Sequence, residues 1–196
     1  MRPEEFLSME EFKLLLDVCK DEREKCILLL LGGVGLRAAE LVNIRVDDID
    51  LAKGFLYVTR GKGGRRRTVV LLPVVKQALE KYLQTLSVRS IYLFPSIAGD
   101  HIGTRRLQDI VDNIAIRAGL QQVSYIDKAG RSRKRVHLHN LRHAHAVWSL
   151  DAGVPVGDLQ QMLGHSSLAT TGIYLKTNPN HMREAYLRSG LLNGIT

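Results

Sequence analysis

The stretch from His139 to Tyr174 gathers an imidazole, a guanidinium, a second imidazole and a phenol. His139 and Arg142 stand three residues apart, so on a helix both side chains project from one face. Together they can grip one phosphate. Arginine presents a planar fork of donors to the oxygens, and histidine donates a hydrogen bond or moves a proton near neutral pH. His165 follows Leu163-Gly164, where the glycine reads as a helix C-terminus, and Tyr174 stands nine residues further on. Upstream, Glu40 is placed to neutralise or hold Arg37 within Gly35-Leu36-Arg37-Ala38-Ala39-Glu40, and Lys62 lies in a glycine-rich turn.

Each of these residues has an ordinary structural explanation by itself. Jointly, two arginines, two histidines, a lysine and a tyrosine can be assembled around one phosphodiester with no metal. Breaking a DNA strand requires a nucleophile, neutralisation of the non-bridging oxygens and a proton for the departing oxygen. Tyr174 would be the nucleophile. A phenol holds its proton well above neutral pH, so attack needs a base and cationic surroundings. Arg37 and Arg142 would clamp the phosphate, and His165 would donate to the same oxygens. His139 would accept or relay the tyrosine proton, and Lys62 would protonate the 5′ oxygen as it leaves. A phosphotyrosine ester conserves the energy of the broken bond, so resealing needs a hydroxyl and no ATP.

These groups must be positioned by several elements. Ser8-Met9-Glu10-Glu11 fits a capping box before a first helix with Phe12, Leu15, Leu16 and Cys19 at helical spacing. A buried helix is expected over 22–34, then a short one opening at Gly35. The period changes to two at Phe55–Thr59 and Thr68–Leu72, which predicts a hairpin around Gly61-Lys62-Gly63-Gly64. Pro73 should start a helix to about Ser87, and Thr104 should cap another that stops at Gly119. The segment from Gln121 to Arg135 reads as a polar loop. Helices are expected over His139–Leu150 and Gly157–Leu163, with Ser166 or Ser167 capping a last one that bears Tyr174.

Two basic clusters flank this arrangement. Arg60, Arg65, Arg66 and Arg67 crowd the hairpin, and Arg131, Arg133, Lys134 and Arg135 precede His139; both are candidate DNA-backbone contacts. The chain of 196 residues has 28 Lys and Arg against 20 Asp and Glu, a formal net charge of +8, which suits a polyanionic partner. Two cysteines seven residues apart support neither a disulfide nor a metal site, and no metal-binding motif or bilayer-length apolar run occurs. The expected compartment is cytoplasmic, with no cofactor.

The motifs as a set resemble a known family. G-L-R-x-x-E-L at Gly35–Leu41, G-K-G at Gly61–Gly63, H-x-L-R-H at His139–His143, L-G-H-S at Leu163–Ser166 and I-Y at Ile173-Tyr174 look like the catalytic domain of the tyrosine recombinases, the phage integrase and Xer-type family. The resemblance covers almost the whole chain in order. It implies an α+β, mainly α fold with a small antiparallel sheet near 55–72, and site-specific DNA cleavage and strand exchange through a 3′-phosphotyrosine. It also implies double-stranded DNA and a homo-tetramer on it as partners, with accessory proteins left open. Topoisomerase-like relaxation and a non-catalytic DNA-binding regulator are the alternatives. A single catalytic domain over 1–196 is expected, without the family's N-terminal core-binding domain. The tail at 176–196, with apolar Met182–Leu192, can dock in cis or on a neighbouring protomer. His145 stands where the family often has an aromatic residue, which bears on local packing.

Overall fold

The computed structural model describes residues 7–59, 66–86, 90–97, 100–121, 123–126 and 132–164. Arg60, Lys62, Arg65, Arg131, His165, Tyr174 and the tail lie outside these residues, as does the helix expected to bear Tyr174.

Helix α1, Met9–Asp17, begins with the expected capping box. The Ser8 hydroxyl accepts from the Glu11 amide at 3.1 Å, and the Glu11 carboxylate accepts from the Ser8 amide at 2.9 Å, which satisfies two donors left over at a helix start. Helix α2 spans Glu22–Leu28 and then widens into a π-helical turn, Leu29–Gly33, where an ordinary helix was expected. The Phe12 ring occupies the space a Cβ on Gly32 would need. Glycine therefore permits both the close packing and the looser turn, in which the Val34 amide reaches back five residues to the Leu29 carbonyl at 2.9 Å.

Short helix α3, Ala38–Val42, leads through a 3₁₀ turn into a three-stranded antiparallel sheet. Its strands are β1 (Ile49–Asp50), β2 (Phe55–Val58) and β3 (Arg67–Val70), in the order β1-β2-β3 with Leu56 opposite Val69 and Val58 opposite Arg67. Leu56, Val58 and Val69 face the core. The expected second strand is displaced by one or two residues because Leu72 already caps α4, Pro73–Thr85, with proline in its first turn.

Helix α5, Thr104–Arg117, is capped by Gly103 rather than Thr104, and no side-chain cap bond is made. The segment expected to be a polar loop is instead a second antiparallel hairpin, β4 (Val123–Ile126) with β5 (Ser132–Lys134). Helix α6, Leu138–Asp151, is capped by His137, whose Nδ1 accepts from the Asn140 amide at 3.1 Å. Helix α7, Val156–Leu163, ends at Gly164 with φ +63°.

The main core joins the apolar faces of α1, α2, α4, α5 and the sheet, while Ala146, Leu150, Leu159 and Leu163 form a smaller cluster between α6 and α7. Helix α6 packs against the π turn, and α7 lies beside β3. The fold is thus α+β and mainly α, with the antiparallel sheet at the expected place.

Candidate active site

The site forms where three helices meet: the start of α3, the interior of α6 and the end of α7. Arg37 is the N-cap of α3. Its backbone amide donates to Glu40 Oε2 at 2.9 Å, and its Nη1 donates to Glu40 Oε1 at 3.0 Å. The same guanidinium reaches the carbonyls of Leu163 at 3.3 Å and Gly164 at 3.2 Å. Its side chain keeps 38% of its surface exposed, on the rim of an open cleft of about 930 Å³ that Asn43, Arg45, Tyr57 and Thr59 also line.

Arg142 comes from α6 and is buried. Its Nη1 donates to the Gly35 carbonyl and its Nη2 to the Leu163 carbonyl at 2.7 Å. Both arginines therefore rest on one oxygen. The last carbonyls of α7 lack helical partners and form the negative pole of its dipole, so they orient two like charges that would otherwise separate. Gly35 has φ +75°, and a Cβ there would collide with the His145 ring and approach Leu163, so only glycine lets this carbonyl face Arg142.

Glu40 sits among three cations. Arg67 meets it with both arms of the fork, Nη1 to Oε1 at 2.6 Å and Nη2 to Oε2 at 2.8 Å, while Arg142 lies 3.9 Å away. Burial pushes the carboxyl pKa up, but hydrogen bonds from Arg67 and the Arg37 amide, with the charges of both guanidiniums, outweigh it and hold the pKa at about 2. The carboxylate is ionised at any working pH.

His139 lies on the same helix as Arg142, with its ring edge-on to His143 at a centroid distance of 4.0 Å. Burial, then the charges of Arg142 and Arg37, lower its pKa below the ordinary histidine value. It is accordingly neutral at pH 7 and able to take up a proton. His145, one turn from Leu141 on α6, is buried. Its Nδ1 donates to the Gly32 carbonyl at 3.1 Å, the carbonyl exposed by the π turn.

The basic clusters divide. Arg66 is exposed, stacked 4.6 Å above Tyr57 and 3.6 Å from Asp48. Arg67, expected at the DNA backbone, instead turns inward, only 12% exposed, onto Glu40 and the Met162 carbonyl at 2.9 Å. Arg135 also turns to protein, pairing with Glu11 of α1 at 2.5 Å. Arg133 and Lys134 lie on β5. Leu163-Gly164 is legible in the sequence as a helix end, whereas nothing there marks the positive φ of Gly35 or the inward path of Arg67. Among the described residues no group of three or more His, Cys, Asp or Glu side chains could hold a metal ion, and no helix is long and apolar enough to cross a membrane.

The arginine pair is thus seated on the end of α7, with His139 one turn before Arg142 on α6. The pattern of the Phage integrase family matches residues 5–181, and the chain belongs to that family of tyrosine recombinases. It is 34% identical over 192 residues to tyrosine recombinase XerA of Pyrococcus horikoshii, which covers 96% of this chain and 62% of that protein. Against tyrosine recombinase XerC of Oceanobacillus iheyensis it is 34% identical over 197 residues, covering 94% of this chain and 60% of that one. The crystal structure of XerA recombinase superposes with a TM-score of 0.78 at 31% identity, over 94% of this chain and 64% of that chain. This chain therefore spans less than two thirds of the length of these relatives.

Proposed function

We propose that this chain is the catalytic domain of a site-specific DNA recombinase that cleaves and rejoins double-stranded DNA through a covalent 3′-phosphotyrosine. The observation that carries the reading is the shared anchoring of Arg37 and Arg142 on the Leu163 carbonyl, which holds a buried guanidinium beside one on the rim of an open cleft. Such a pair, pre-oriented before substrate arrives, stabilises charge that grows on the non-bridging oxygens of a phosphodiester.

In this reaction the Tyr174 hydroxyl oxygen attacks phosphorus, and its proton passes to neutral His139. The bond from phosphorus to the 5′ oxygen breaks, Lys62 gives that oxygen a proton, and His165 donates to a non-bridging oxygen. Religation is the reverse, with a 5′-hydroxyl as the nucleophile. XerA is a named tyrosine recombinase, and the likeness of this chain to it in sequence and fold supports the same chemistry here. A tetramer on two duplexes, in a cytoplasmic compartment, is the assembly in which exchange would occur.

The test is a nicked suicide duplex, selected from a randomised duplex library by covalent capture. A protein-DNA adduct that Tyr174→Phe abolishes is the expected result. No adduct, or an equal adduct from Tyr174→Phe, overturns the reading. Relaxation of supercoils without recombinant product would instead indicate a topoisomerase-like activity.

A further inference from the structure

Arg67 donates both arms of its guanidinium to Glu40 and its Nε to the Met162 carbonyl, and its side chain is nearly closed off from solvent. Its Nε, Nη1 and Nη2 are all engaged by protein, and two of the three meet the same carboxylate. Glu40, for its part, touches Arg37 and lies 3.9 Å from Arg142. One carboxylate therefore serves three guanidiniums. If Arg67 were neutral, the full charge of Glu40 would fall on the two arginines that face the phosphate.

We infer that Arg67 is a positioning residue that takes up the charge of Glu40, so that Glu40 can orient Arg37 without cancelling the positive field Arg37 and Arg142 offer a phosphodiester. The inference rests on the recombinase reading above. Removing Arg67 lets Glu40 pair fully with Arg37 and Arg142. In the low-dielectric interior such pairing is strong, and the stabilisation lost is that of the transition state, where the phosphate bears extra charge. DNA affinity, set largely by surface contacts, changes little. The Met162 bond adds a geometric element, because it ties the start of β3 to the last turn of α7, whose carbonyls seat both arginines.

The test uses the selected nicked duplex and measures adduct-formation rate beside DNA affinity at several salt concentrations. Arg67→Met should slow adduct formation at least about tenfold, roughly 1.4 kcal/mol in the barrier, with affinity and salt slope unchanged. Arg67→Lys, which keeps the charge but not the fork, should fall between and guards against a variant that merely fails to fold. The double variant Arg67→Met with Glu40→Gln should recover rate over Arg67→Met alone, because the uncompensated charge is gone. A salt slope reduced by about one, the sign of a phosphate contact, overturns the inference. So does a double variant no faster than Arg67→Met, which would leave Arg67 as a brace only. Absence of adduct from the unsubstituted chain overturns the recombinase reading, and this inference with it.

Discussion

Arg142 holds the Leu163 carbonyl at 2.7 Å from the far side of the small α6–α7 core, so a buried side chain of one helix fixes where the next one ends. That bond links Arg142 to the segment that runs directly on to His165. Arg142→Lys keeps the charge but cannot reach the Gly35 and Leu163 carbonyls together. It should lower the adduct-formation rate about a hundredfold or more while DNA affinity stays within a few-fold, as expected for a group that acts in the transition state. Leaving one buried carbonyl unpaired should also cost about 1–3 kcal/mol of stability, read by denaturant unfolding.

Although His139 keeps an exposed surface, partial desolvation and the neighbouring charges of Arg142 and Arg37 lower its pKa. If it receives the tyrosine proton, only the neutral ring works. The cleavage rate should therefore persist down to the ordinary histidine pKa of 6.5 and fall only on further acidification, through the lowered value. A single-turnover pH profile checks this. Loss of activity beginning above pH 6.5 would remove His139 from that role. Replacing Arg37 by a neutral residue should move the acid limb toward higher pH, since one of the lowering charges is gone.

Much of this was legible from spacing alone. The Ser8–Glu11 capping box, the α6 helix bearing His139 and Arg142, and Gly164 as a helix stop follow from local rules that tertiary packing did not overrule. The π turn at Leu29–Gly33 was not legible, because it depends on Phe12 filling the space beside Gly32, a contact between distant residues. The β4–β5 hairpin was hidden by polar neighbours that obscure two very short strands. Among the basic residues, Arg66 and Arg67 are adjacent and identical in type, yet Arg66, just before β3, lies outward over Tyr57 while Arg67, the first residue of β3, turns inward to Glu40. Charge clustering in a sequence does not reveal which side of a strand faces the partner.

That division makes a binding prediction. Arg66 is exposed and only loosely paired with Asp48 at 3.6 Å, so a DNA phosphate can replace that partner. Arg66→Gln should weaken binding on all duplexes and lower the salt slope by about one. Arg135→Gln should leave the slope unchanged, because Arg135 is committed to Glu11. Its effect should appear as a stability loss of about 1 kcal/mol or less, typical of a partly exposed ion pair. Fluorescence anisotropy across a salt series separates the two.

His145 offers a stability test independent of DNA. Burial lowers its pKa to about 4 from an ordinary 6.5, and the Arg142 charge adds to this, although the bond to the Gly32 carbonyl favours the charged ring. Between those values the unfolded chain binds a proton that the folded chain resists, so stability should be full above pH 6.5, decline as pH falls toward 4, and level off below that. The span corresponds to roughly 3 kcal/mol from this residue. Glu40 contributes in a lower window: its pKa of about 2 against an ordinary 4.5 makes its contribution present above pH 4.5 and lost as pH falls toward 2. Denaturant unfolding from pH 7 to pH 4.5 isolates His145 from Glu40. His145→Phe keeps an aromatic ring without a titrating nitrogen, so the decline over that interval should flatten, at the expense of the Gly32 hydrogen bond and a constant loss of about 1 kcal/mol. An unchanged slope in His145→Phe would show that the acid limb belongs to other groups, His139 foremost.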